Sequence, residues 1–221
     1  MSELIVMLTY NDFTVMNASE VFDRCKHSKA KYWGFKEQPL PIDEMKMLYG
    51  KMKAEGKTTF LEVVSYDEAE GLRCARMAVE CGCDVLMGTR YFDSINNYCR
   101  EHDIKYMPFV GHVEGRPSVL SGSVGDILAE AKSYIARGVY GVDLLSYRYN
   151  GDIAELHRVF RNEFPHRLCL AGSIDSFSKL DVVKEIAPWA FTIGSAFFDE
   201  KFCKGMSEQI DAVCDYVGGS K

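Results

Sequence analysis

Apolar and polar residues along this chain alternate between two periods. Short runs rich in aliphatic, aromatic and β-branched residues recur at Leu4–Tyr10, Tyr32–Glu37, Thr58–Val64, Asp84–Thr89, Lys105–Gly111, Gly141–Tyr147, Arg167–Ser173 and Trp189–Gly194. Each is short enough to be a strand buried on both faces. Between and after them, the apolar positions fall three and four apart. These stretches predict helices over Thr14–His27, Ile42–Glu55, Glu68–Cys81, Asp93–His102, Val124–Arg137, Ile153–Glu163, Ser176–Ile186 and Met206–Val217. Glycines follow three of them, at Gly56, Gly82 and Gly138, as expected where a helix stops in the left-handed region. Pro39 and Pro41 break the chain ahead of the second helix.

Strand–helix units joined by short connections imply a parallel sheet, and eight of them imply a closed one. The pattern therefore predicts an α/β fold, a single (β/α)8 TIM barrel spanning residues 1–221. An open doubly wound sheet is the competing architecture. It has less support because no G-x-G-x-x-G follows the first strand. One connection is long, His112–Gly122. It is expected to be a mobile lid hinged at Gly111, Gly115 and Gly122.

Composition narrows the class. With 221 residues, 47% hydrophobic and 26% charged, the chain can bury one large core. A formal net charge of -6 argues against broad binding to nucleic acid or acidic membranes. No segment approaches the ~20 consecutive apolar residues of a membrane span, and the N-terminal run reads as a strand and not as a signal peptide. The eight cysteines lie scattered in helix and strand interiors, so a reduced, cytoplasmic setting is expected. Cys81-Gly82-Cys83 lacks the second ligand pair of a metal site. Neither a metal nor a cofactor is expected. A homo-oligomer is left open.

In a barrel of this kind chemistry gathers where strands end. Lys36 ends an aromatic strand; a lysine among apolar groups has its pKa lowered, which suits a nucleophile or a proton-transfer group, and a head reaching solvent at the strand end is the plain alternative. Glu62 sits inside the apolar run Phe60–Val64, where a carboxylate needs a partner, and Lys36 on the adjacent strand is the natural one. A structural ion pair would satisfy both equally well. Asp143, in Gly141–Leu145, reads as an acid/base or as a group orienting Lys36. His112 opens the long loop and is a further acid/base candidate. Asn11 and Thr89 at strand ends, with Arg116 and Arg148 in loops after strands, are candidates for holding substrate.

Two strand ends carry the strongest signal. Ala171-Gly172-Ser173 and Gly194-Ser195-Ala196 each close an apolar run and lead towards a helix. Glycine admits an anion close to the backbone, serine adds a hydroxyl, and a helix N-terminus offers unpaired N–H groups. Gly172, Ser173, Gly194, Ser195 and Ala196 are therefore candidate phosphate ligands. Gly194→Asp is expected to abolish binding while leaving the barrel folded.

Through this pair of turns the chain resembles the ribulose-phosphate-binding barrel superfamily. The resemblance implies a small phosphorylated sugar or related phosphate ester as ligand. Motifs of individual members are not matched. The run Gly34–Pro39 lacks the Asp-x-Lys-x-x-Asp of the orotidine-phosphate decarboxylase type. Lys36 and Glu62 stand where metal-dependent epimerases carry histidines, and Asp143 stands on the strand where one aldolase type carries its lysine. The expectation is a metal-independent lyase, aldolase or isomerase using Lys36 with carboxylate acid/base groups. Two alternatives are a non-catalytic phosphate-ester sensor, as in glycerol-phosphate-responsive antiterminators, and a phosphoribosyl-transfer enzyme.

Overall fold

The computed structural model describes residues 2–164 and 166–219. Eight parallel strands form one sheet: β1 (Glu3–Met7), β2 (Tyr32–Lys36), β3 (Thr58–Val63), β4 (Val85–Gly88), β5 (Lys105–Met107), β6 (Val142–Leu144), β7 (Leu168–Leu170) and β8 (Ala190–Ile193). Each pairs with its neighbours in sequence, and β8 returns to β1. The last seam, between β5 and β6, is drawn together by two backbone bonds. Tyr140 N donates to Tyr106 O and Asp143 N to Pro108 O, both at 2.9 Å. The sheet is thus a (β/α)8 barrel. Among the described residues, no helix is long and apolar enough to cross a membrane.

The helices α1 (Ala18–Cys25), α2 (Ile42–Ala54), α3 (Glu68–Cys81), α4 (Asp93–Glu101), α5 (Val124–Ala136), α6 (Ile153–Glu163) and α7 (Phe177–Ile186) ring the sheet. A one-turn helix, α8 (Ser195–Phe198), follows β8 directly, and α9 (Met206–Gly218) packs under β1. Local chemistry sets several ends. Asp67 Oδ1 accepts from Glu70 N at 2.9 Å to cap α3, and Gly82 ends it with φ 73°.

Two apolar layers result from alternation along the strands. One lies between strands and helices. The other fills the barrel with Ile5, Met7, Phe60, Val85, Met87, Met107, Cys169 and Ala190. Gly34 belongs to this inner layer, where an added Cβ would lie 2.8 Å from Phe60 Cβ and 3.0 Å from Met7 Sδ. Only glycine fits between those two neighbours.

Three segments differ from the sequence expectation. The first strand stops at Met7, and α1 begins at Ala18 rather than Thr14. The residues between form a small hairpin, Thr9–Tyr10 with Phe13–Thr14. Asn11 and Asp12 turn it in the left-handed region, with φ 47° and 71°, a conformation their short polar side chains tolerate. The sixth strand ends at Leu144 and gives way to a 3-10 turn, Ser146–Arg148. The long connection is itself a hairpin, His112–Glu114 with Val119–Ser121. Val113 and Leu120 are buried, so this segment has apolar anchors of its own. Tyr66 OH donates to Gly115 O at 2.7 Å and ties the hairpin tip to the loop after β3.

Candidate active site

The strand ends of β7 and β8 open onto one cleft of about 180 Å³. Gly172, Ser173, Gly194, Ser195 and Ala196 all line it, together with Thr9, Asp12, Lys36, Glu62 and Arg148. Gly172 and Ser173 are both left-handed, with φ 90° and 56°, which turns the chain sharply away from β7. The first N–H groups of α8 have no acceptor within their own helix. Ser195 Oγ accepts from Asn11 N at 3.1 Å, and Ser173 Oγ accepts from Arg148 Nε at 3.3 Å.

Space is tight around these turns. A Cβ on Gly194 would run into Thr9 Oγ1 and stand 3.1 Å from Thr9 O. Gly194→Asp therefore disturbs the hairpin after β1 as well as any bound anion. This corrects the expectation of an undisturbed barrel, and Ser195→Ala is the cleaner probe.

Opposite the turns lies a buried charge cluster. Register pairs Lys36 on β2 with Glu62 on β3, so both side chains point into the barrel at the same height. Lys36 Nζ is 3.3 Å from Glu62 Oε1 and donates to Asp12 Oδ1 at 2.6 Å. The lysine backbone is held too: Thr14 Oγ1 donates to Lys36 O and accepts from Lys36 N, each at 2.8 Å. Only 4% of Lys36 is exposed. Burial alone pulls a lysine pKa down, but the charges of Glu62 and Asp12 outweigh it, and the net direction is upward. At neutral pH Lys36 is an ammonium ion. Burial fails to make it a free amine because two carboxylates came into the interior with it.

Asp143 shares this interior. It is fully buried, and among the described residues neither carboxylate oxygen has a hydrogen-bond partner. Burial pushes its pKa well above the usual carboxylate range, the charge of Glu62 adds to the shift, and Lys36 only partly offsets it. Burial thus favours the protonated form of Asp143 over its carboxylate more than it would for an exposed aspartate.

Arginines bind the rim together. Arg148 Nη1 lies 3.4 Å from Asp12 Oδ1, so this side chain links the Ser173 turn to the lysine cluster. Arg116, at the hairpin tip, reaches Glu37 Oε1 at 2.6 Å and Asp12 O at 3.2 Å, with its guanidinium over the Phe13 ring. The remaining candidates stand apart. Thr89 is buried and bonded to Tyr106 OH at 2.6 Å, facing the helical layer. His112 is exposed on the hairpin, 3.3 Å from Glu114. Asn11 meets the cleft through its backbone N–H rather than its side chain.

Asp12 is the residue that sequence reasoning did not single out. Asn11-Asp12 reads as a turn former, which it is. That the turn folds back over the barrel mouth depends on a contact between residues 24 apart. Among the described residues, no group of three or more His, Cys, Asp or Glu side chains is placed to hold a metal ion.

No family model matches the chain, and no curated protein does. Solved structures do. Orotidine 5'-phosphate decarboxylase from Pyrococcus horikoshii OT3 superposes with a TM-score of 0.70 at 14% identity, covering 98% of this chain and 100% of that one. N-(5'-phosphoribosyl)anthranilate isomerase from Pyrococcus furiosus gives 0.70 at 11% identity, with full coverage of both chains. A 4-hydroxy-2-oxoglutarate/2-dehydro-3-deoxyphosphogluconate aldolase gives 0.61 at 13%, covering 97% of this chain and 92% of that one. The chain shares the (β/α)8 barrel fold of these structures.

Proposed function

We propose that this protein is an enzyme acting on a small phosphorylated sugar or related phosphorylated carbonyl compound, as a metal-independent lyase or isomerase. One observation carries the reading. A buried ammonium ion, Lys36, stands between two carboxylates on one wall of a cleft whose other wall is a pair of Gly-Ser turns. Decarboxylase, isomerase and aldolase neighbours that act on phosphorylated compounds are consistent with it.

In this reading the phosphate is held by Gly172, Ser173, Gly194, Ser195 and Ala196, through backbone N–H groups and hydroxyls. The carbonyl end then faces Lys36. The ammonium stabilises negative charge as it develops on the carbonyl oxygen, or donates a proton to the carbon beside it. Glu62, a carboxylate that borders the cleft beside Lys36, takes the proton in the opposite step. Asp12 holds Lys36 charged and aimed. Asp143 supplies a second, neutral acid behind Glu62. Arg116 closes the mouth when the hairpin is down.

A thermal-shift screen of phosphorylated sugars, followed by turnover assays of the hits, tests the reading. A ligand of the native state raises the melting temperature with its occupancy. The expected result is stabilisation by a phosphorylated carbonyl compound that is turned over, and loss of turnover in Lys36→Met. Borohydride added during turnover should leave no adduct, because the resting lysine is protonated; an adduct on Lys36 would replace the acid role with an imine.

A further inference from the structure

The cleft wall facing the phosphate turns has a charge balance that restricts the rest of the ligand. We infer that the ligand's non-phosphate end is uncharged and rich in hydroxyls, so that phosphorylated sugar acids and nucleotides are rejected. The inference rests on the phosphate site proposed above.

The cations of the cleft are Lys36, Arg148 and Lys201. Lys36 is spent on Asp12 and Glu62, and Arg148 is shared between Asp12 and Ser173. Lys201 follows α8, where its N–H meets Ala196 O at 3.0 Å, which puts it on the phosphate side. The inner wall therefore holds two positive side chains against two negative ones before any ligand enters. A carboxylate arriving there finds no unpaired cation and comes up against Glu62. Bringing an uncompensated charge into so dry a place is unfavourable.

Hydroxyls meet the opposite situation. Glu62 borders the cleft, and among the described residues its salt-bridge partner is Lys36 Nζ at 3.3 Å. Among the described residues, its carboxylate receives no hydrogen bond that satisfies both distance and angle. An ionised carboxylate accepts and never donates, so it is matched by hydroxyl donors. Among the described residues no aromatic side chain lines the cleft, so a nucleobase finds no ring there to stack on. Glu62 thus selects substrate as well as moving a proton.

Calorimetric titration with matched probes tests this: inorganic phosphate, ribitol 5-phosphate, ribonate 5-phosphate and uridine 5'-monophosphate. Ribitol and ribonate phosphates differ only in one terminal group, an alcohol against a carboxylate. On the wild-type protein the polyol phosphate should bind roughly tenfold or more tighter than either inorganic phosphate or the acid, the scale set by leaving a buried polar group mismatched. Uridine monophosphate should bind no tighter than inorganic phosphate. In Glu62→Gln, checked for folding by circular dichroism, the gap between polyol and acid should close. Wild-type binding of ribonate 5-phosphate as tight as the polyol, or of the nucleotide above inorganic phosphate, overturns the inference and leaves the phosphate site standing. An unchanged gap in a folded Glu62→Gln protein removes Glu62 as the selector. If none of the four probes binds, the phosphate site itself falls and takes the inference with it.

Discussion

At the N-terminal end of the barrel the interior is stoppered by rings. Tyr32, Phe60, Tyr140 and Trp189 meet with centroids 5.4–6.3 Å apart. At the other end the same strands carry charge. Tyr32 and Lys36 are both inward on β2, and Phe60 and Glu62 are both inward on β3. Moving one inward step along β3 exchanges an aromatic ring for a carboxylate. Packing explains the ring end completely, since apolar area leaves water and edge-to-face contacts form. It does not explain the charged end, where ions lie out of water and Asp143 has no hydrogen-bond partner among the described residues. Well-packed apolar residues would serve stability there at least as well. The difference is what supports placing the proposed chemistry at the C-terminal mouth.

Lys36→Met should separate the two ends most strongly. It leaves Glu62 without its cation and Asp12 with Arg148 alone, at an expected cost of about 3–5 kcal/mol in urea denaturation, and it should abolish the proposed turnover. Phe60→Ala should cost a similar ~3–5 kcal/mol through a cavity. Calorimetry should nonetheless find its phosphate affinity unchanged, and a large loss would mean the ring end also shapes the site.

Asp143→Asn comes next, and its effect has a sign. A carboxyl raised in the folded state gives its full contribution below the ordinary carboxyl range. That contribution is lost as pH rises towards its folded value, by up to about 1.4 kcal/mol per pH unit. The wild-type protein should therefore lose stability relative to Asp143→Asn as pH rises above the ordinary carboxyl range, with the two converging in acid. Parallel melting curves across that range would show that Asp143 does not carry a proton.

Ser195→Ala should weaken phosphate binding by one charged hydrogen bond, ~1.5–3 kcal/mol, with little change in melting. The smallest effect is expected at the hairpin. Trypsin cleavage after Arg116 is disfavoured by the following proline, so a protease cutting elsewhere in 112–122 is the better probe. Its cleavage should slow when a phosphorylated ligand is present, and equal rates would refute a closing lid.

Much of this was legible in the chain. Periods of two and of three to four residues are local, and they gave the eight units and the order of elements, while the first, fifth and sixth strands stop three or four residues short of the expected ends. The Gly-Ser turns were legible because glycine and serine at a strand end have few other reasons to recur. Lys36 and Glu62 were paired correctly because neighbouring parallel strands in a barrel run in step. Lys36 was read towards a free amine because sequence displays its apolar neighbours and hides Asp12, which joins it from a separate hairpin.

Alternation of apolar residues by itself determines that a closed barrel forms and which end of each strand bears polar groups, because each strand obeys the same pleat. The tertiary structure alone decided how those groups meet. Arg148 reaches Asp12 across 136 residues, Arg116 reaches Glu37 across 79, and Thr89 turns to Tyr106 instead of the cleft. Charge states follow those meetings. The Lys36 pKa is held up by the carboxylates within a few ångströms, and that of Asp143 is pushed up by burial and by Glu62, and closure of the barrel sets that burial and those distances.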